Sequence, residues 1–228
     1  MHLEMSELLT CPRCGPGHGL VVSVDRIEAR RVLEGRLACP GCDARYPVSR
    51  GLIDFGAAAA GGRARTDAAA SRPRPAGRDA SAPSPGAEDA VRVAALLGLG
   101  EGGGAVLLGR GLEAAAARVA ELGEGVEVLC LASDRGEGRA QGEEGGAPRV
   151  TRLAGVAEEA LPLHGRRLRG AALLGGSPEA LREAARVVRP GGRVTVLRPT
   201  FDLESSEDVP LRTLAEGASA AVAERTGP

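Results

Sequence analysis

Hydrophobic positions change their period twice along the chain. Leu20, Val22 and Val24 occupy every second position, and Val32-Leu33 and Arg36-Leu37-Ala38 follow on either side of Glu34-Gly35. Period two is the spacing of half-buried β-strands, and Glu34-Gly35 predicts the hairpin turn between them. From Ala105 onward the pattern becomes short apolar runs separated by helical spacings. Ala105 to Leu108, Val126 to Leu131, Arg149 to Leu153, Ala171 to Leu174 and Arg193 to Leu197 predict five strands. Leu112, Ala115, Ala116 and Val119 share one helical face, as do Leu181, Ala184, Ala185 and Val188. Ser177-Pro178 gives the second helix an N-cap and a first-turn proline, and Pro190-Gly191-Gly192 ends it. Strands alternating with helices predict an α/β fold: a doubly wound, mostly parallel Rossmann-like sheet with right-handed crossovers. Residues 209 to 216 read as a helix, and Ala220 to Glu224 as a helix or a sixth strand. The sheet is therefore expected to be truncated at its C-terminal strands, with an edge in need of a partner.

Between the two patterns lies a segment without any period. Residues 57 to 87 contain no Val, Ile, Leu, Met, Phe, Tyr or Trp, and 12 of the 31 are alanine. Such a stretch cannot offset its ordering entropy by burial, and four prolines at 73, 75, 83 and 85 break any long helix. It predicts a flexible linker between an N-terminal unit, residues 1 to 56, and a C-terminal unit, residues 88 to 228.

Composition changes this picture little. Ala, Gly, Arg and Pro supply 118 of the 228 residues, and every basic residue is arginine, a bias that a GC-rich genome produces by itself. Charge is balanced in residues 1 to 56, with seven arginines and seven acids. The surplus of arginine falls in residues 57 to 87, which argues against a folded nucleic-acid-binding surface. No apolar run approaches the roughly 18 residues of a membrane span, and the N-terminus lacks an apolar signal region. The expectation is a cytoplasmic chain whose five cysteines serve metal or thiol chemistry and not a disulfide framework.

Four of those cysteines carry the strongest chemical signal. Cys11-Pro-Arg-Cys14 and Cys39-Pro-Gly-Cys42 form two CxxC pairs, each able to hold one metal from a tight turn. Together Cys11, Cys14, Cys39 and Cys42 supply the four thiolates of a closed, structural zinc site in a small β-rich zinc ribbon. A redox CxxC would open a helix in a βαβ unit, a context absent here. His18, four residues past Cys14, is a competing ligand on spacing alone and reads better as a loop residue. Cys130, among Val128, Leu129 and Leu131, reads as a small core residue.

LLTCPRCG and RLACPGCDARYPVSRGLIDF, within residues 5 to 56, resemble the small zinc-ribbon proteins related to the tRNA-methyltransferase activator subunit. Tyr46-Pro47-Val48 and Gly51-Leu52-Ile53 match the tail of that family, although its usual proline after the Gly-Ile pair is replaced. The resemblance implies a module that binds and stabilises a methyltransferase partner.

Residues 88 to 197 resemble the class I S-adenosylmethionine-dependent methyltransferases through three stretches: AVLLGRGLEAAAARVAEL, ALPLHGRRLRGAALLG and EALREAARVVRPGGRVTVLRP. The resemblance implies S-adenosylmethionine as cofactor, with Gly109 and Gly111 letting the backbone pass close to it. Several expected groups are missing. Leu107 stands where an acid usually precedes the glycines, and Glu113 where a third glycine follows. Ala132 stands where the ribose-binding acid falls, with Asp134 the only substitute, and the acid that opens strand four falls at Arg169 or Gly170. A hydrogen bond to a charged group is worth about 1.5–3 kcal/mol, so each lost carboxylate weakens the site by roughly tenfold or more. No adenine-stacking ring is evident, since Phe201 is the only aromatic residue after position 87. His164, in the loop LPLHG, is the best candidate base for an active enzyme and otherwise an exposed loop residue.

Three readings follow. The first is a zinc ribbon fused to a degenerate, non-catalytic methyltransferase-like domain that binds a protein partner, either a methyltransferase or a second copy of itself. The second is an active methyltransferase using Gly109, Gly111 and Asp134. The third makes the ribbon a nucleic-acid reader.

Overall fold

The computed structural model of the protein describes residues 1–57, 87–100, 102–132, 149–201 and 209–227. The predicted linker outside residues 57 and 87 lies beyond these.

In the N-terminal part, β1 (Thr10–Cys11) and β2 (Gly15–Gly19) form a small antiparallel pair that carries the first CxxC turn. A hairpin of β3 (Val21–Glu28) and β4 (Arg31–Ala38) follows, then β5 (Arg45–Ser49) and β6 (Leu52–Asp54), all antiparallel. Alternation is clean in β5, where Tyr46 and Val48 are buried and their neighbours are exposed. Two-residue turns join β3 to β4 at Ala29-Arg30 and β5 to β6 at Arg50-Gly51, with all four residues at positive φ. That is the turn geometry that matches the twist of a hairpin.

The expected turn at Glu34-Gly35 is corrected by this register. Both residues lie inside β4, paired with Ser49 and Val48. Gly35 is needed because the neighbouring strand approaches closely: a Cβ there would lie 2.4 Å from the Ser23 carbonyl oxygen.

The larger part begins with α1 (Ala87–Leu97), followed by β7 (Gly104–Leu108), α2 (Ala116–Leu122), β8 (Val126–Leu131) and β9 (Val150–Ala154). Then come β10 (Leu168–Leu174), α3 (Pro178–Val187), β11 (Val188–Leu197), β12 (Leu211–Gly217) and β13 (Ala220–Arg225). The Ser177 side chain accepts the Ala180 N–H, so the predicted cap forms. Ala90, Val93, Ala94 and Leu97 give α1 a buried stripe at helical spacing, a signal present in the sequence but outside the five-strand pattern.

The parallel strands lie in the order β9-β8-β7-β10-β11, the doubly wound arrangement with its switch point between β7 and β10. β13 closes onto β11 and β12 onto β13, both antiparallel. The expected truncation is therefore corrected, and so is the helix over 209 to 216. Alanine favours a helix, but the stretch around Ala221 and Ala223 is six residues long, too short to hold a helix by propensity alone beside the open side of β11. Pairing supplies its hydrogen bonds instead.

At the other end the sheet does not stop at β9. Leu52, Ile53 and Asp54 of β6 pair in parallel with Arg152, Leu153 and Ala154, so eleven strands run as one sheet from β12 to β3. Val106, Leu108, Val126, Val128 and Cys130 face α1 and α2 on one side. Leu107, Leu129, Leu131, Leu153 and Leu173 face the other side, covered by α3 together with Met5, Leu9 and Cys11. The connection from β9 to β10, residues 155 to 167, contains no helix. The N-terminal segment lies along it: Thr10 N–H donates to the Pro162 carbonyl at 2.9 Å and His164 N–H to the Leu8 carbonyl at 2.8 Å.

Ser177→Ala should lower stability by about 1 kcal/mol, the usual cost of losing an N-cap, with the urea midpoint shifted and its slope unchanged.

Candidate metal centre and glycine loop

The two CxxC turns meet across the ends of two hairpins. Cys11 ends β1, Cys14 immediately precedes β2, and Cys39 and Cys42 lie in the turn between β4 and β5. Their four Sγ atoms lie within 4.8 Å of one another, with Cys11–Cys42 and Cys14–Cys39 both at 3.7 Å. A tetrahedral ion with metal–sulfur bonds of about 2.3 Å places its ligands about 3.8 Å apart, so these positions fit one such ion with little movement. Four sulfur donors leave no open coordination position. The chemistry this centre can supply is structural.

Its surroundings bear on ionisation. Burial opposes deprotonation of Cys11, but hydrogen bonds from the Tyr46 hydroxyl and from the backbone at Arg13 and Cys14 outweigh it and hold the thiol at about 7. The Cys14 thiol is pushed up to about 12, first by its hydrogen bond with Cys42 and then by burial. Burial also raises Cys39. Thiols this close cannot all lose their protons unless a cation lies among them. Tyr46 is fully buried, its ring 5.0 Å from that of Phe55 and its hydroxyl 3.4 Å from Cys11 Sγ. Burial raises its own ionisation, so it remains a donor towards Cys11. His18 is exposed on β2 and its ring lies over Gly41, outside the four converging sulfurs.

The glycine loop follows β7 at the carboxyl ends of the parallel strands, where an open α/β sheet takes its ligand. Gly109 N–H donates to the Ala172 carbonyl at 2.8 Å. A Cβ on Gly109 would lie 2.8 Å from Glu158 Oε1, 3.2 Å from Leu173 Cδ2 and 3.3 Å from the Ala172 carbonyl oxygen. Gly111 adopts φ +83°, a left-handed conformation that favours glycine. Arg110, between them, donates its N–H to Glu158 Oε1 at 2.6 Å, and its guanidinium donates to the Val156 carbonyl.

The positions that depart from the expected cofactor pattern have structural duties. Leu107 is buried in the core on the α3 side. Glu113 opens a short 3-10 turn before α2. Ala132 N–H extends the β8–β9 pairing by donating to the Leu153 carbonyl. The Arg169 guanidinium donates to the Gly98 carbonyl at 2.6 Å and to that of Gly102, while Arg193 donates to the Leu96 carbonyl. These arginines satisfy carbonyls at and just beyond the end of α1, as cations at a helix C-terminus do. Asp134 lies outside the described residues. Cys130 is buried, as expected of a core residue.

His164 is not brought to the glycine loop. It precedes β10, at the amino end of that parallel strand and away from the carboxyl ends that carry the glycine loop, with its ring towards Gly19 of β2. Sequence reasoning missed Glu158, since nothing in the spacing of AGVAEEAL marks a side chain that reaches another loop. It also missed the clamp at Glu183 and Arg186. Glu183 accepts the Leu161 N–H, and Arg186 donates to the carbonyls of Leu161 and Leu163.

No protein-family model matches this sequence, and no curated protein matches it. Several solved structures are similar in shape. The antibiotic-resistance methyltransferase Kmr is 16% identical, covering 61% of this chain and 93% of its own, with a TM-score of 0.45. The 1,6-didemethyltoxoflavin-N1-methyltransferase of Burkholderia thailandensis, solved with 1,6-didemethyltoxoflavin and S-adenosylhomocysteine, is 19% identical, covering 61% and 80%, with a TM-score of 0.47. A chain from the complex between the Haloferax volcanii Trm112 methyltransferase activator and its methyltransferase partner is 14% identical, covering 62% and 90%, also at 0.47.

Tyr46→Phe keeps the ring packing and removes only the hydroxyl. It should weaken metal retention by roughly tenfold, the lower end for an outer hydrogen-bond partner, when zinc-loaded protein competes with a chromophoric chelator.

Proposed function

We propose that this chain is a zinc-dependent, methyltransferase-like binding module that acts in the cytoplasm as a scaffold and does not itself transfer methyl groups. In this reading residues 1–56 form a zinc ribbon akin to the methyltransferase activator subunit, residues 57–87 a tether, and residues 88–228 the methyltransferase-like unit. The observation that carries it is the way the N-terminal part completes the larger one. β6 extends the sheet beside β9, and Met5, Leu9 and Cys11 fill the layer beside α3. The ribbon thus stabilises a methyltransferase-like surface within its own chain, and the assembled protein is free to dock on a methyltransferase or a second copy of itself.

Zinc is the ion that suits four thiolates at these separations. Its binding is worth about 10–16 kcal/mol in comparable small sites, as much as a domain's whole stability. The purified protein should carry one zinc per chain by elemental analysis. Protons compete for the same sulfurs, so retention should fall as the pH falls. Chelation should abolish one cooperative unfolding transition of the full chain; loss of signal from the N-terminal part alone would sink the stabilising role.

Two features support the non-catalytic reading. The ends of β7 and β8 offer Leu107 and Ala132 where a cofactor would need carboxylates, and the bare Cα of Gly109 is accounted for by contacts inside the protein. Calorimetry with S-adenosylmethionine should give no binding in the micromolar range. Micromolar binding with methyl transfer to any acceptor would favour the active enzyme acting through Gly109, Gly111 and Asp134.

A further inference from the structure

We infer that Glu158 is the specificity-determining residue of the glycine loop: its carboxylate is a built-in occupant of the Arg110 N–H, and the ribbon fixes the loop that delivers it. The inference rests on the reading of this loop as closed to S-adenosylmethionine, and names what closes it.

Arg110 is held twice by residues two apart in the loop after β9. Its N–H donates to Glu158 Oε1 at 2.6 Å, and its guanidinium donates to the Val156 carbonyl. Glu158 is only 9% exposed, and the same Oε1 lies where a Cβ on Gly109 would meet it, at 2.8 Å. Glu158 meets Gly109 beside Leu173 of β10, on the face of the sheet that Leu107 and α3 share, and Val156 of the same loop is buried in that layer. The carboxylate therefore sits at the carboxyl end of β7, beside the switch point where an open α/β sheet takes its ligand. A backbone N–H between two glycines binds a carboxylate or another anionic acceptor; here that acceptor comes from the chain itself. Any ligand presenting a carboxylate to Arg110 meets both a filled site and a like charge.

The path of this loop starts on the ribbon's tail. Phe55 N–H donates to the Ala154 carbonyl at 2.9 Å, directly after the β6–β9 pairing. The next residue, Gly155, is at φ +70°, and a Cβ there would lie 2.4 Å from the Gly56 nitrogen. Gly56 is itself held by its N–H donating to Asp54 Oδ1 at 2.8 Å. The four-cysteine unit and the glycine loop are thus joined through a continuous run of contacts: β6, Gly56, Gly155, Val156, Glu158 and Arg110.

The test uses the zinc-loaded full chain and follows amide hydrogen exchange at Arg110. In Glu158→Ala this amide should exchange about tenfold faster or more, as expected on losing a hydrogen bond to a carboxylate, while zinc content stays unchanged. Added acetate should restore its protection in the variant and leave the wild type unaltered. Glu158→Gln keeps an acceptor in place and should stay protected. Gly155→Ala, which leaves Glu158 and all four cysteines intact, should also speed exchange at Arg110. Unchanged exchange in Glu158→Ala would overturn the occupant, and unchanged exchange in Gly155→Ala would overturn the ribbon's part in it. The closed-loop reading fails on a different measurement, micromolar binding of S-adenosylmethionine by the wild-type protein, so the two failures are distinguishable.

Discussion

Three residues of β6, Leu52 to Asp54, pair in parallel with three residues of β9. Parallel pairing at the open side of a doubly wound sheet usually requires a crossover within one unit, and here the added strand comes from a segment far away in sequence. Once β6 is in place, β5, β4 and β3 follow by antiparallel pairing, and the four cysteines are carried with them. The same pairing puts Gly56 against Gly155 and so sets the loop that reaches Arg110. The four-cysteine cluster and the glycine loop are parts of one hydrogen-bonded body.

The layers explain why this junction is more than an edge contact. A parallel sheet is buried on both faces, and its hydrophobic strands need cover on each. One face has α1 and α2. On the other, α3 covers only part, and the connection from β9 to β10 provides no helix. The N-terminal segment fills that position with Met5 and Leu9, anchored by Thr10 to Pro162 and by His164 to Leu8. Arg186 and Glu183 on α3 grip the same connection from the other side through Leu161 and Leu163. Removing the N-terminal part would take Met1, Met5 and Leu9 out of the cluster that buries Leu107, Leu129, Leu131 and Leu153.

Much of this was legible from local pattern. The CxxC spacings, the five parallel strands and the Ser177 cap all follow from short-range chemistry, in which a few neighbouring residues decide the outcome. The turn at Ala29-Arg30 was not legible, because neither residue favours positive φ and the pairing of β3 with β4 imposes it. The C-terminal hairpin was ambiguous for a similar reason: alanine suits a helix or a buried strand, and only the neighbouring β11 decides between them. The contact of Glu158 with Arg110 spans 48 residues and no periodicity carries such information. The β6–β9 junction is equally silent, since Leu52 and Ile53 look the same whether they end a small ribbon or begin a larger sheet.

Eleven strands in one sheet have a geometric consequence. Neighbouring strands rotate by roughly 20–25° with a fixed hand, so ten steps accumulate to roughly 200–250° between β12 and β3. Open sheets of this width curl instead of lying flat. The two exposed borders of the sheet consequently point in very different directions. A molecule that lengthens one border by strand addition does not lie alongside one that lengthens the other. Growth at both borders would wind about an axis, a helical path and not a ribbon.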